Sequence, residues 1–242
     1  MKVAIHQPDY IPYLGYFYKM YLSDYFVFLD DSQFQKNYLN NRNKIKTPQG
    51  WCWLTIPVEK CNGLSTNINE TRTKDELNWK EKHLKTIEMN YKKSPYFREI
   101  FPELSEIINK KYGTLAEMNE AIIIYIAYRF GILPSIYKSS DFKLESKKEE
   151  KVLDIIKLLN GDEYISGNGA RDYQKEEDFT DKGIKLTYTD YKPIKYNQQW
   201  GDFEENMSVL DFIFNEGFNF DKVKELVKKE NQEKEKVLKW KM

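Results

Sequence analysis

Histidine occurs only twice in this chain of 242 residues, at His6 and His83. Its side chain can give and take protons near neutral pH, so both positions are candidates for acid–base chemistry. His6 ends the apolar segment Lys2-Val3-Ala4-Ile5 and begins His6-Gln7-Pro8-Asp9-Tyr10-Ile11-Pro12, with Gln7 and Tyr10 as polar neighbours able to touch a ligand. His83 closes Trp79-Lys80-Glu81-Lys82-His83. On a helix, Trp79, Lys80 and His83 share a face. Lys80 and Lys82 would depress the His83 pKa and keep it neutral, which suits a general base, while Lys82 could donate to an oxyanion. A structural histidine is the equal alternative at position 83.

Three further clusters could hold a ligand. Asp30-Asp31 follows an apolar run and could bind a cation or simply end a strand. The segment from Lys36 to Lys46 contains Arg42, whose guanidinium can grip a phosphate or carboxylate through two parallel hydrogen bonds. Ser166-Gly167-Asn168-Gly169-Ala170-Arg171 reads as a loop between strand and helix, where backbone N–H groups can approach an anion. A tight turn needing positive φ is the alternative there, and the glycine spacing fits no dinucleotide fingerprint. Cys52 and Cys61 lack metal-ligand spacing, and the sequence assigns no metal ligands.

These residues need a scaffold, and the hydrophobic pattern supplies one. Val3-Ala4-Ile5, Tyr25 to Leu29, Trp51 to Val58, Pro134 to Tyr137, Glu163 to Ile165 and Ile184 to Tyr188 read as strands. Apolar residues at helical spacing predict helices over 13–22, 75–91, 96–111, 115–130 and 149–159, with another after the glycine loop. Ser32 to Gly50 reads as a polar loop, and residues 221–242 as a solvated, charged amphipathic helix. The alternation predicts a three-layer α/β fold with a parallel sheet. Residues 1–218 form a single α/β domain with a helical insertion at about 75–130, and 219–242 a charged C-terminal helix. Ligands of such sheets bind at the carboxyl ends of the strands, so His6, Asp30, Arg42 and Ser166 should line one cleft there.

Composition narrows the partners. Thirty-eight basic residues balance thirty-eight acidic ones, so no global field draws the chain to nucleic acid or membrane. The longest apolar run, Ala121 to Ala127, is too short to span a bilayer, and no signal peptide is apparent. A cytoplasmic location follows as the expectation, and a homo-oligomer is left open.

Taken together, the motifs resemble the WbqC-like family of bacterial proteins. The resemblance rests on His6-Gln7-Pro8-x-Tyr10-x-Pro12-x-x-Gly15-Tyr16-Phe17 and Ser23-Asp24-x-Phe26-Val27-x-Leu29-Asp30-Asp31-x-Gln33-Phe34-x-Lys36. It continues through Asn41-Arg42-Asn43-x-Ile45-Lys46, Trp53-Leu54-Thr55-Ile56-Pro57-Val58, Trp79-x-x-Lys82-His83, Tyr164-Ile165-Ser166-Gly167, and Leu210-Asp211 before Asn215-x-Gly217. The family implies a role in surface polysaccharide such as O-antigen, with glycine or other aminoacyl transfer suggested, and brings no catalytic assignment. A second similarity concerns fold: the sheet is expected to be Rossmann-like and to resemble nucleotidylyl transferases. Tyr13-Leu14-Gly15-Tyr16 lies where those enzymes carry His-x-Gly-His, and Ile165 to Arg171 looks like their Ile-Ser-Ser-Thr-x-x-Arg loop. Tyrosines replace both histidines, which removes the groups that would stabilise a triphosphate.

The leading expectation is a transferase that acylates the amine of an amino sugar carried on a nucleotide. His6 or His83 would be the base, Lys82 a donor, and Asp30 the carboxylate to consider if neither histidine acts. Gln7, Tyr10, Lys36, Arg42, Ser166, Gly167 and Arg171 would bind ligand. The partners would be a small sugar nucleotide and an acyl donor. One alternative is nucleotidylyl transfer or adenylate formation, with magnesium at Asp30 or Asp31. Another is a non-catalytic sugar-nucleotide-binding module. Beyond a nucleotide, no cofactor is indicated.

Overall fold

A computed structural model describes residues 1–59, 66–172 and 174–240, with side chains to residue 232. Cys61, half of the cysteine pair, lies outside the described residues; Cys52 is a free thiol. Strand β1 (Lys2–His6) leads through α1 (Leu14–Tyr21) to β2 (Tyr25–Phe28). A hairpin follows, β3 (Arg42–Thr47) and β4 (Gly50–Thr55), then α2 (Trp79–Tyr91), α3 (Phe97–Asn109) and α4 (Leu115–Arg129). The chain returns to the sheet as β5 (Ser135–Lys138), α5 (Lys148–Leu158), β6 (Glu163–Ser166), α6 (Glu176–Thr180) and β7 (Lys185–Tyr188), and ends in α7 (Val209–Glu216) and α8 (Phe220–Trp240).

The five-stranded sheet runs β5-β2-β1-β6-β7 and every pairing in it is parallel. Chain order reverses direction across β1 and β6, the switch point where doubly wound sheets open a crevice at their carboxyl edge. Pairing of β1 with β2 continues to His6–Phe28, whereas pairing of β1 with β6 stops at Ala4–Ile165. The strands at the switch point therefore part before they end.

Side chains alternate across the sheet, which makes the three layers. Ala4, Phe26, Phe28 and Ile165 pack with α1, the α2–α4 helices, α7 and α8. Val3, Ile5, Val27, Tyr164 and Leu186 pack on the other face with Leu153, Ile155 and Ile156 of α5 and Phe179 of α6. The helices between residues 79 and 129 thus share the main core.

Several elements differ from the sequence expectation. The polar loop Ser32 to Gly50 contains β3, because Ile45 points into the core while the intervening Lys44 faces out. Its partner β4 stops at Thr55 and pairs antiparallel with β3 alone, so this hairpin is no part of the parallel sheet. The 75–91 helix divides: a single 3₁₀ turn, Asp75–Leu77, is separated from α2 by Asn78 at φ 50. Residues 168–170 make one 3₁₀ turn, and α6 begins only at Glu176, so the glycine loop does not open an α-helix. α7 was not anticipated. The C-terminal helix is not simply solvated, since Phe220, Val223 and Val227 are buried in the core. Among the described residues no helix is long and apolar enough to cross a membrane.

Candidate functional site

The carboxyl edge of the sheet collects the polar residues that follow β1, β2, β5 and β6. His6 ends β1 on the face covered by α1, its ring centroid 4.5 Å from that of Tyr16. Its Nδ1 is buried and has no hydrogen-bond partner among the described residues. Burial, aided by the nearby Lys19 cation, holds its pKa well below the ordinary histidine value, so the imidazole is neutral at pH 7. The loop after it is strained: Ile11, a β-branched residue, sits at φ 43. Asn43 clamps that turn, donating from Nδ2 to the carbonyls of Ile11 (2.8 Å) and Tyr10 (3.2 Å).

Gln7 is held on three sides. Its Nε2 donates to Ser32 Oγ (2.9 Å), its Oε1 accepts from Asn40 Nδ2 (3.2 Å), and its carbonyl accepts from the Tyr16 hydroxyl (3.0 Å). Asn40 also donates to Asp9 Oδ1 at 2.9 Å. Asp9 is buried, and that burial raises its pKa to about 7. Asn119 of α4 ties this loop down by donating to the carbonyls of Pro8 and Asn40, both at 2.8 Å. The Oδ1 atoms of Asn40 and Asn119 and Oε1 of Glu120 are buried acceptors without donors.

Lys19 is the residue that sequence reasoning missed. It lies on the buried face of α1, only 5% exposed, and its Nζ donates to the Ile5 carbonyl at 2.7 Å. Burial lowers its pKa to about 7, and the Asp9 carboxylate pulls the other way. The signal was present: a lysine lies among Tyr16, Phe17 and Met20, all of which are buried. Asp9 was hidden for a similar reason, as one polar residue in a Pro-rich loop.

The other candidates are distributed as follows. His83 has both ring nitrogens engaged: Nε2 lies 3.1 Å from the Thr55 carbonyl and Nδ1 3.0 Å from the Tyr10 hydroxyl. A carbonyl can only accept, so Nε2 carries the proton and Tyr10 donates to Nδ1. Burial pushes the His83 pKa down to about 4. The nearby lysines do not set it: Lys82 points away to the Leu77 carbonyl (3.0 Å), and Lys80 to the Lys110 carbonyl (2.8 Å) and Asp75 (3.1 Å). Tyr10 is wholly buried. His83 and Tyr10 therefore tie α2 to β4 and to the loop after β1.

Asp30 is buried and saturated. It accepts from Ser139 Oγ (3.1 Å), Ser140 N (3.0 Å), Ser140 Oγ (2.6 Å) and Asn69 Nδ2 (3.3 Å), fastening the end of β2 to the turn after β5. Asp31 pairs with Lys151 at 2.5 Å. Among the described residues no group of three His, Cys, Asp or Glu side chains could hold a metal ion. In the Lys36 to Lys46 segment, Lys46 is buried on Gln198 (2.9 Å) and the Asp202 carbonyl, while Lys36 is exposed. Arg42 begins β3 with its guanidinium carbon 4.1 Å from the centre of the half-exposed Trp53 ring, and its Nε is buried without a partner.

At the end of β6, Ser166 Oγ donates to Gln174 Oε1 at 2.7 Å. Arg171 pairs with Asp190 (2.5 Å) and lies over the Tyr188 ring. Gly167 has φ −77 and Gly169 no positive φ, so the turn alone requires neither glycine. A Cβ built at either would meet nothing within 4 Å. The backbone here is open to approach from outside.

A wide depression of about 500 Å³ lies elsewhere, at the amino edge where β2 and β5 begin, lined by Met1, Tyr21, Asp24 and Leu133 among others. Asp24 there is occupied by the Lys2 backbone N–H at 2.7 Å, and among the described residues no histidine or unpaired cation lines it. The candidate site residues gather at the opposite edge. There the tyrosines that stand for His-x-Gly-His are part of the packing. Tyr16 is committed to the Gln7 carbonyl, and the space beside Gly15 is filled by the Tyr13 and Tyr191 rings, 2.3 and 2.6 Å from where a Cβ would stand.

A profile of the WbqC-like protein family matches residues 7–223. The chain is 36% identical over 218 residues to Uncharacterized protein Rv1507c of Mycobacterium tuberculosis, an alignment covering 89% of this chain and 94% of that one. No solved structure matches it.

Proposed function

The chain belongs to the WbqC-like protein family, and we propose that it is a transferase of bacterial surface polysaccharide assembly that acylates the amine of a nucleotide-linked amino sugar at the carboxyl edge of its parallel sheet. The observation that carries this reading is His6, a neutral imidazole at the end of β1 whose buried Nδ1 has no partner among the described residues. In acyl transfer the sugar amine attacks the acyl carbon, and the N–H of the resulting adduct becomes acidic enough for a weakly basic imidazole to remove. His6 takes that proton and returns it to the leaving group as the carbon–leaving group bond breaks. Gln7 and the glycine loop would orient the ligand, and Arg42, which has no acidic partner among the described residues, would hold an anionic group. His83, Tyr10 and Asp30 support the site through their saturated contacts. Lys82, turned to the Leu77 carbonyl, is left out of the chemistry.

Nucleotidylyl transfer is the weaker reading, because Tyr16 and Gly15 are used up by packing against Gln7, Tyr13 and Tyr191. The deciding experiment compares wild type with His6→Gln, supplying aminoacyl donors and amino-sugar nucleotides. Turnover should fall roughly 100-fold or more while the nucleotide sugar still binds. Pyrophosphate release from a triphosphate would favour nucleotidylyl transfer, and binding without any turnover would favour a binding module.

A further inference from the structure

We propose that Lys19 is the cationic centre of an anion subsite in the parting between β1 and β6, taking a phosphoryl group of the ligand. The argument begins with backbone parity. The His6 carbonyl accepts from the Leu29 N–H on the β2 side, and carbonyls alternate along a strand, so the Ile5 carbonyl faces β6. Pairing between β1 and β6 has already ended at Ala4–Ile165. The Lys19 Nζ, 2.7 Å from Ile5 O, thus stands where the next backbone N–H of β6 would have bonded. It occupies the switch point itself.

α1 runs back from the carboxyl edge, and side chains on a helix lean toward its N-terminus, so this lysine reaches up toward the open end of the sheet. An ammonium has three N–H donors, and among the described residues only one of them has a protein acceptor, the Ile5 carbonyl. No ion pair with an acidic side chain satisfies the others among the described residues; Asp9 acts on Lys19 only through space. The groups facing it are His6 from β1, Asp9 from the loop beyond, and the Tyr164 ring of β6, 5.8 Å from Nζ. Across the parting begins the 166–169 loop, whose two glycines leave room that neither backbone conformation nor packing explains. A ladder cap alone would need one donor and no charge. A buried lysine with spare donors, facing an open backbone loop, fits an anion shared between them.

This inference deepens the transferase reading by naming what holds the nucleotide's phosphates, but it does not depend on any transfer taking place. Burial leaves the free Lys19 with a pKa of about 7, so at pH 8 it is only roughly one-tenth protonated. A bound anion restores the proton, and binding must draw it from solution. Uridine diphosphate, with inorganic sulfate as a base-free anion, is titrated into the full-length protein at pH 8 by calorimetry. Two buffers of different ionisation enthalpy report the proton count. Wild type should take up nearly one proton per anion bound. Lys19→Met should bind roughly 10–100-fold more weakly with no uptake, and Lys19→Arg should bind without uptake. Thermal melts confirm that both variants fold. Failure of both anions to bind wild type, binding without proton uptake, or unchanged affinity in Lys19→Met would each overturn the proposal. Since no acyl donor is present, absence of transfer activity leaves this result untouched.

Discussion

Lys19→Met should make the protein more stable at neutral pH, and the size of the gain follows from the structure. Lowering a lysine from 10.5 to about 7 corresponds to a folding cost of about 5 kcal/mol at pH values below 7. Burial is the cause, and Asp9 offsets only part of it. The substitution also removes the contact to the Ile5 carbonyl, which costs about 1–3 kcal/mol when that acceptor is left unpaired. The net gain at pH 7 is about 2–4 kcal/mol. The sign reverses with pH in a defined way. A depressed lysine binds fewer protons folded than unfolded between pH 7 and 10.5, so wild-type stability rises through that window. The advantage of the variant is therefore full at pH 6, shrinks from pH 7 upward, vanishes between about pH 8 and 10, and becomes a deficit near pH 10.5, where only the lost Ile5 contact remains. Urea unfolding at pH 6, 8 and 9.5 measures it, with an expected midpoint increase of about 1 M at pH 6. A less stable variant at pH 6, or a difference that does not change with pH, would show that Lys19 is an ordinary charged lysine and would remove the physical basis for its role. A side chain that costs stability at a sheet's ligand edge is expected where function requires it.

Two further substitutions separate support from site. His83→Gln cannot meet both Tyr10 and Thr55 as the imidazole does, so it should destabilise the fold by about 2–4 kcal/mol and depress the melting temperature, while nucleotide affinity measured well below that temperature stays near wild type. Gly167→Ala should leave stability unchanged or raise it by up to about 1 kcal/mol, because its φ of −77 suits alanine and no protein atom is near. The same variant should weaken uridine diphosphate binding in calorimetry. Unchanged affinity would show that no ligand approaches this backbone.

The sequence by itself determined the alternation of strands and helices that builds the parallel sheet. Val3 to Ile5, Tyr25 to Phe28 and Tyr164 to Ile165 are short apolar runs flanked by polar turns, a local pattern that reads without knowledge of partners. Because ligands of such sheets bind at strand ends, His6, Asp30, Arg42 and Ser166 were expected to line one cleft; His6, Asp30 and Ser166 stand at or just after the ends of β1, β2 and β6, whereas Arg42 begins β3 of the separate hairpin. α7 was not legible, since Val209 to Phe214 are all buried, Asp211 included, so no exposed polar face marks this short run as a helix. The hairpin was obscured because β3 mixes outward Arg42 and Lys44 with buried Asn43 and Lys46, whose partners lie in distant loops. Tertiary structure alone decided which polar residues remain free. His83 stayed a candidate base, with a structural role as its equal alternative, until Tyr10, 73 residues away, and Thr55, 28 residues away, closed both its nitrogens. Lys19 is marked in the sequence only by its apolar neighbours; the packing of α1 on the sheet removes its water and offers one carbonyl in return. Periodicity is written locally along the chain, whereas desolvation and hydrogen-bond saturation are set by residues that meet only when it folds, and those two quantities decide which groups can do chemistry.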